Sequence, residues 1–253
     1  MNLEVPCRHN ETLEQLLKLI NADPELDQWL KSANINAIDR SGLNDHGEVH
    51  IRIVANAALR MLRLLIEKEV EPNAVKEHSL TRGDAEVVVV LAACLHDVGI
   101  AIHRLEHERH SLILAYPKAR QLLQSLYSEP QLTAMVGEVL HAIAAHRWDV
   151  PCLTLEAGVL KVADALDMSQ GRSRIPFEAG QVNIHSLSAQ AVQQVSIGKG
   201  ENRPVRIEIH LSNSAGIFQV DELLQRKIKN STLLPHIEIL SYLQGDLLKV
   251  YRF

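Results

Sequence analysis

The chain has 253 residues, of which 46% are hydrophobic and 23% are charged, and its formal net charge is −5. This composition indicates a globular protein of one or two domains and excludes disordered and collagen-like chains. The negative charge and an aromatic content of only 4% argue against an extended nucleic-acid surface. Three widely spaced cysteines give neither a disulfide framework nor a cysteine zinc motif.

The N-terminus and the apolar runs predict a cytoplasmic protein without membrane association. The segment MNLEVPCRHN lacks the basic and apolar regions of a signal peptide. The longest apolar stretch, Val87 to Leu95, is too short to span a bilayer.

Apolar residues at helical spacing predict helices along the first two thirds of the chain. The Val-rich run after Gly83 suits a buried strand or a buried helix. A helix is favoured because Asp84 can cap it and Gly99 can end it. The other predicted helices cover 11–20, a short stretch after Pro24 capped by Asp23, about 49–69, 105–127 with a bend or break at Pro117, 130–146 and 154–168.

After Gly171 the pattern changes to alternating apolar and polar residues. Val205 to Leu211 alternates as a half-buried strand, and Val195 and Ile197 suggest its partner. A helix over 221–229 and a strand over 247–251 are also expected. We therefore predict a mainly α protein, with a helical bundle at 1–172 and a small α+β domain of unknown role at 173–253.

Histidine is the unusual residue of this chain, because nine of the 13 histidines lie between His46 and His146. Histidine is the commonest metal ligand in proteins. The sharpest local feature is the pair His96-Asp97 at the end of an apolar helix. A buried aspartate is costly there unless it meets a cation or several hydrogen-bond donors.

Two further residues on other predicted helices extend this pattern. His50 opens the helix over 49–69, and Asp164 lies in the apolar helix over 154–168, where Asp167 is equally eligible. Helices packed in a bundle can direct such groups at one cation.

This ordered set resembles the H…HD…D signature of the HD superfamily of metal-dependent phosphohydrolases. The matching stretches are HGEVHIRIVANAAL, LAACLHDVGIAIHRLEHERHS, VLHAIAAHR and KVADALDM. The resemblance implies an HD-type helical bundle that holds a metal through His50, His96, Asp97 and Asp164. His46 is the alternative first ligand, but His50 is preferred because Val54 and Ala58 follow it at the spacing usual in the family.

The resemblance also makes a second metal ion possible, because many HD proteins hold two ions. His110 and His146 resemble the additional ligands, and Asp97 would bridge both ions. His107 is the alternative to His110, and His141 is the weaker alternative to His146. His103 lies near enough in the pattern to line the pocket.

The implied activity is hydrolysis of a phosphate ester, in a nucleotide or a similar small molecule, by metal-activated water. Asp97, His110 and Arg104 are the expected catalytic residues. The expected cofactor is one or two divalent ions of Mn, Fe, Ni, Co or Zn. The expected phosphate-binding cations are Arg104, Lys161, Arg172 and Arg174.

Two other functions remain open at this point. One is an HD-fold di-iron oxygenase, which uses the same six-residue ligand pattern. The other is a regulatory protein that binds a nucleotide in a retained pocket without turnover. A homo-oligomer is compatible with the sequence.

Overall fold

The computed structural model of the chain describes residues 1–7, 9–168 and 188–252, and it is mainly α-helical. The helices of the N-terminal part are α1 (Glu11–Ala22), α2 (Pro24–Asn34), α3 (Glu48–Glu67), α4 (Asn73–His78), α5 (Arg82–Leu95), α6 (His107–Leu123), α7 (Gln131–Ala145) and α8 (Leu155–Leu166). A π-helical turn, Ile35–Asp39, follows α2, and a 3-10 turn, Val98–Ala101, follows α5. The predicted mainly α fold is confirmed for these residues.

Side-chain caps explain where several of these helices begin. The Asp23 carboxylate accepts a hydrogen bond from the Leu26 backbone N–H at 2.9 Å, and Pro24 occupies the first helical position of α2. Thr81, rather than Asp84, is the N-cap of α5. Asp84 completes a capping box by accepting a hydrogen bond from the Thr81 backbone N–H at 2.8 Å.

The Val-rich run forms the central helix of the bundle. Every residue from Val87 to Leu95 is buried in α5. This helix packs against α3, α7 and α8, so apolar side chains are needed around its whole circumference. The choice of a helix over a buried strand is therefore confirmed.

Two details differ from the sequence-based expectation. Helix α6 continues through Pro117, which lies on its exposed side. Proline removes the hydrogen bond to the carbonyl of Ile113, and that residue is also exposed, so water can satisfy the group. The short helix α4 was not predicted, because its six residues carry no apolar periodicity.

The C-terminal part forms a four-stranded sheet in the order β1-β2-β3-β4. Its strands are β1 (Val192–Lys199), β2 (Val205–Leu211), β3 (Ile237–Leu243) and β4 (Asp246–Arg252). The outer pairs are antiparallel, whereas β2 and β3 are parallel and joined by a crossover. That crossover contains a π-helical turn, Gln219–Leu224, and helix α9 (Gln225–Lys229).

The sheet and the helices share one hydrophobic core. Ile207 on β2 pairs with Ile197 and Ile239, and it belongs to the same buried cluster as the apolar residues of α3, α5 and α8. Strand β1 contacts α3, and helix α9 packs on α8. The boundary expected at residue 172 lies outside the described residues, so the two-domain division stays a prediction. Within the described part of the chain, no helix combines the length and apolarity needed to cross a membrane.

Candidate metal centre

Helix ends bring histidine and aspartate side chains together at one side of the bundle. His50 lies in the first turn of α3, His96 and Asp97 follow α5, and His146 follows α7. With the remaining members they form what we call the His–Asp cluster: His46, His50, His96, Asp97, His107, His146 and Asp164.

The first part of the cluster surrounds the Nε2 atoms of His50 and His96, which are 3.2 Å apart. Asp164 Oδ1 lies 3.5 Å from His50 Nε2 and 3.8 Å from His96 Nε2. Asp97 Oδ2 lies 3.4 Å from each of these nitrogens. These distances bring together the four residues of the H…HD…D pattern.

The second part of the cluster surrounds the other oxygen of Asp97. Asp97 Oδ1 lies 3.1 Å from His107 Nε2 and 3.7 Å from His146 Nε2. The two oxygens of this buried carboxylate therefore face two different groups of imidazoles. His46 joins the first side, with its Nδ1 2.7 Å from Asp97 Oδ2.

Each buried imidazole has one nitrogen that faces away from the cluster and hydrogen-bonds to another group of the protein. These outward-facing contacts leave the other nitrogen directed at the centre of the cluster, where it could bind a cation. His50 Nδ1 lies 2.7 Å from Asp167 Oδ2, and His96 Nδ1 lies 2.8 Å from the Ala93 carbonyl oxygen. An imidazole that donates from Nδ1 carries a lone pair on Nε2 when it is neutral. With both rings neutral, the two Nε2 lone pairs would point at each other and at carboxylates, so a proton on His96 or a metal ion between the rings stabilises this arrangement.

His146 and His107 have related outward contacts. His146 Nδ1 lies 2.6 Å from the Ile143 carbonyl oxygen. His107 Nδ1 lies 3.2 Å from the carbonyl oxygen of Arg104 and 2.7 Å from its guanidinium Nη1. A guanidinium only donates, so His107 Nδ1 accepts from Arg104 and the neutral ring carries its proton on Nε2, toward Asp97. A cation at Nε2 would require the other tautomer, in which Nδ1 donates to the Arg104 carbonyl.

The charges of the cluster shift the pKa values of its members in opposite directions. Burial lowers the pKa of His96, but the charges of Asp97 and Asp164 outweigh it and raise the value to about 9. Burial and the charge of His96 lower the pKa of His146 to about 3. Burial would raise the pKa of Asp97, yet the charges of His96 and His46 hold it well below its usual range. The cluster therefore attracts positive charge and holds ionised carboxylates.

The structure brings His107, rather than His110, to the second part of the cluster. His107 is the first residue of α6 and is buried. The His110 imidazole is one turn farther along, and its Nδ1 lies 3.5 Å from the His103 carbonyl oxygen. His110 is therefore not the histidine that faces Asp97, and its alternative, His107, replaces it as the candidate ligand and candidate catalytic residue. His141 Nε2 accepts a hydrogen bond from the Leu153 backbone N–H instead of facing Asp97.

A cavity of about 490 Å³ opens beside the cluster, and its lining includes three basic and four acidic side chains. Its lining residues are His46, Asp97, Arg104, Leu105, Glu106, His107, Glu108, His146, Arg147, Trp148, Asp164 and Lys227. Arg104 lies in this lining, as expected from the sequence.

Lys161, which the sequence suggested as a phosphate-binding residue, is not among the described residues that line this cavity. Lys161 is buried in α8, where its Nζ donates to the carbonyl oxygens of Val150 and Asn230. We therefore correct its role from substrate binding to anchoring the 147–153 segment. Arg172 and Arg174 lie outside the described residues.

Sequence reasoning missed several residues of the site. Lys227, on α9, donates to Asp164 Oδ2, and Arg147 and Trp148 line the cavity beside His146. Arg147 and Trp148 follow a proposed ligand directly, which is a signal that the sequence offers. The sequence contains no comparable signal for Lys227, because Lys227 and Asp164 are 63 positions apart in the chain.

Comparisons with known proteins agree with this geometry. A protein-family model described as the HD domain matches residues 50–169. An uncharacterized protein of Methanocaldococcus jannaschii is 42% identical over 222 residues, which is 88% of this chain and 86% of that protein. The family match covers His50, the pair His96-Asp97 and Asp164, whereas His46 and Lys227 fall outside it.

Proposed function

The chain belongs to the HD superfamily, and from this premise we propose that it hydrolyses a phosphate ester of a nucleotide or a similar small molecule. The observation that carries the proposal is Asp97, whose two oxygens face two groups of histidines. This arrangement supports a pair of divalent ions rather than one. His50, His96 and Asp164 would hold the first, and His107 and His146 the second, with Asp97 shared between them.

The donor set favours particular metals. Imidazole and carboxylate together suit Mn, Fe, Co, Ni and Zn, whereas Mg prefers oxygen ligands. Such ions, when bound, supply an activated water and neutralise phosphate oxygens. Asp167 orients His50 through its hydrogen bond, and the Ala93 and Ile143 carbonyls orient His96 and His146. These contacts would hold the imidazoles in position for a metal ion.

The cavity supports a phosphorylated substrate. Arg104, Arg147 and Lys227 border it and offer charge-assisted hydrogen bonds to phosphate oxygens. Trp148 has 54% of its surface exposed at the same cavity, so its indole ring is available to stack on a planar base. These features favour a nucleotide over a simple sugar phosphate.

A substrate panel tests this function directly. The chelator-treated protein is reloaded with Mn²⁺, Co²⁺ or Ni²⁺ and assayed for release of phosphate from nucleotides, sugar phosphates and an aryl phosphate. We expect turnover that depends on the metal and is fastest with nucleotides. Asp97→Ala removes the shared carboxylate and should abolish turnover. Asp246→Ala, at the exposed start of β4, is the matched control and should keep it.

Robust phosphate release by Asp97→Ala would contradict the proposal. Tightly bound iron in anaerobically purified protein, with oxygen consumption and no phosphate release, would favour the di-iron oxygenase. Thermal stabilisation by a nucleotide without turnover, with metals present, would favour a regulatory protein.

A further inference from the structure

A second group of potential metal ligands lies between α4 and α7, away from the His–Asp cluster. It consists of Glu77, His78 and Glu138, and we call it the α4–α7 group. Each residue offers one ligand atom, and these atoms lie within 4.8 Å of one another. Glu138 precedes His146 by eight positions on α7, or about 12 Å along a helix. The α4–α7 group is therefore separate from the metal centre described above.

Glu138 is the buried member of this group and lacks a full set of hydrogen bonds. Only 10% of its side chain is exposed. Its Oε1 lies 3.2 Å from His78 Nε2, but its Oε2 is buried without a hydrogen-bond partner. A buried carboxylate oxygen in this state has lost its water without receiving a donor in exchange. Burial, with the charge of Glu156, also raises the pKa of Glu138.

The surroundings of Glu138 do not supply the missing positive charge. Among the residues that the structure describes, no lysine or arginine forms an ion pair with Glu77 or Glu138. The buried Glu156 accepts hydrogen bonds from the backbone N–H groups of Asn73 and Ala74, at 3.2 and 2.9 Å. It therefore adds negative charge to this region and has no proton to offer while it is ionised.

The group is also open to an ion from solution. The His78 side chain has 36% of its surface exposed, and Glu77 is exposed. Glu77 is held in place by Asn73 Nδ2, which donates to its Oε1 at 2.7 Å. One side of the group is thus fixed on α7, and the other is presented by the last turn of the short helix α4.

We propose that the α4–α7 group binds a divalent transition-metal ion through the imidazole of His78 and the carboxylates of Glu77 and Glu138. One nitrogen and two carboxylate ligands are a donor set that suits zinc, with water in the remaining position. The ion compensates the buried charge of Glu138 and fastens α4 to α7. Its role is structural, and it does not depend on the proposed phosphohydrolase activity.

Metal counting tests this site. The chelator-treated full chain is dialysed against Zn²⁺, and bound zinc is measured by mass spectrometry. The experiment is done in an Asp97→Ala background, in which the His–Asp cluster is impaired, and in the wild type. In both backgrounds, Glu138→Gln and His78→Ala should each bind one equivalent less than their parent. His9→Ala, an exposed histidine outside the group, should bind as much zinc as its parent.

Thermal denaturation gives a second readout that separates binding from folding. Zinc at about a hundredfold above its Kd should raise the melting temperature through this site by about 5–10 °C. Glu138→Gln removes the buried charge, so the metal-free variant should melt no lower than the metal-free Asp97→Ala parent. The rise in melting temperature on addition of zinc should be smaller in the variant than in that parent. The proposal would be overturned if Glu138→Gln and His78→Ala both bound as much zinc as their parent. It would also be overturned if zinc raised the melting temperature of Glu138→Gln as much as that of its parent.

Discussion

The buried imidazoles of the His–Asp cluster are oriented by the contacts on their outward-facing nitrogens. Asp167 Oδ2 lies 2.7 Å from His50 Nδ1, whereas Glu108 Oε2 lies farther from His107 Nδ1, at 3.4 Å. Backbone carbonyls perform the same task for His96 and His146. A backbone carbonyl cannot be changed by substitution, so Asp167 is the residue at which this orientation can be tested.

Asp167→Asn should weaken metal binding without removing a proposed ligand. An amide in place of the carboxylate accepts a weaker hydrogen bond from His50, so we expect a loss in affinity of about 10–100-fold. Competition with a chromophoric chelator measures the change. Asp246→Asn, at an exposed position on β4, should leave the affinity unaltered. Equal affinities for Asp167→Asn and the wild type would show that the contact does not orient His50.

Single ligands differ in how far the sequence could predict them. The order of His50, His96, Asp97 and Asp164 was recognisable because these residues belong to three different predicted helices and together match the H…HD…D signature. The choice between His107 and His110 required the start of α6, since a shift of one turn exchanges a buried imidazole for a partly exposed one. Periodicity places residues on a common face, but it does not show which turn of that face meets a neighbour.

At the scale of elements, the position of His107 depends on the close approach of α6 to the 3-10 turn after α5. Gly99 is the point of contact. A Cβ atom there would lie 2.2 Å from the Ser111 backbone nitrogen and 2.3 Å from the His107 carbonyl oxygen. The Gly99 N–H also donates to Ser111 Oγ at 2.9 Å. Both obstructing atoms belong to the backbone, so the helix itself would have to move.

Gly99→Ala should therefore destabilise the protein by about 2–3 kcal/mol and displace His107 from Asp97. Chemical denaturation measures the first effect, and the number of metal equivalents, expected to fall by one, measures the second. Gly137→Ala is the matched control on α7. Nothing lies within 4 Å of its added Cβ, so it should raise stability by about 0.5–1 kcal/mol. Wild-type stability in Gly99→Ala would contradict this account.

The N-terminal helices are fastened to α6 by a buried ion pair. Lys118 Nζ lies 2.7 Å from Asp23 Oδ2, and the two side chains are 1% and 6% exposed. Burial opposes both charges, but the hydrogen bond between them lowers the pKa of Asp23 and raises the pKa of Lys118. Removing one partner leaves the other as a buried, poorly compensated charge.

Lys118→Met should lower the free energy of unfolding by about 3 kcal/mol at neutral pH. Asp23 has a lowered folded pKa, so its contribution is present above its unfolded pKa of about 3.9 and is lost as pH falls through the folded value. Lys118 has a raised pKa, so its contribution is lost only as pH rises above about 10.4. The difference in free energy of unfolding between Lys118→Met and the wild type should therefore be constant between these two pH limits and become smaller in acid.

Denaturation curves at several pH values measure this dependence. Lys18→Met is the matched control, because Lys18 pairs with Glu14 on the surface of α1. Surface pairs of this kind contribute less than about 1 kcal/mol. A difference between Lys118→Met and the wild type that persists undiminished at pH 2 would mean that lost packing, and not the ion pair, is responsible.

At the scale of the whole molecule, the C-terminal part contributes to the candidate metal centre. Lys227 on α9 pairs with Asp164, and Asn230 just beyond α9 donates to the Trp148 carbonyl oxygen at 2.9 Å. The Asn230 carbonyl accepts from Cys152 N at 3.0 Å and from Lys161 Nζ at 3.1 Å. The end of this helix therefore holds both a proposed ligand and the segment that lines the cavity.

Lys227→Met should impair the site while the fold survives. Loss of a charge-assisted hydrogen bond should lower kcat/KM for the best substrate of the panel by about 10–100-fold. Metal affinity should also fall, because Asp164 loses its partner. Lys227→Arg should retain part of the kcat/KM and part of the metal affinity. Lys229→Met, at an exposed position on the same helix, should leave both quantities at the wild-type level. Full activity and metal affinity in Lys227→Met would show that the contact is incidental.

The sequence predicted the mainly α architecture well, because most helices carry caps and apolar periodicity of their own. It did not predict strand β3, since IEILSYL is buried along five consecutive residues and does not alternate cleanly. It also gave no reason to connect the C-terminal part with the metal centre. That connection depends on how α9 packs on α8, and tertiary packing leaves no local pattern in the chain.

The contact between Lys227 and Asp164 has a consequence for synthesis of the protein. The residues of the cavity emerge from the ribosome in the order from His46 to Lys227, and the last of them comes from the crossover between β2 and β3. At translation rates of about 5–20 residues per second, roughly 10–40 s separate the emergence of His46 from that of Lys227. The nascent chain can therefore complete its cavity only after α9 has left the exit tunnel.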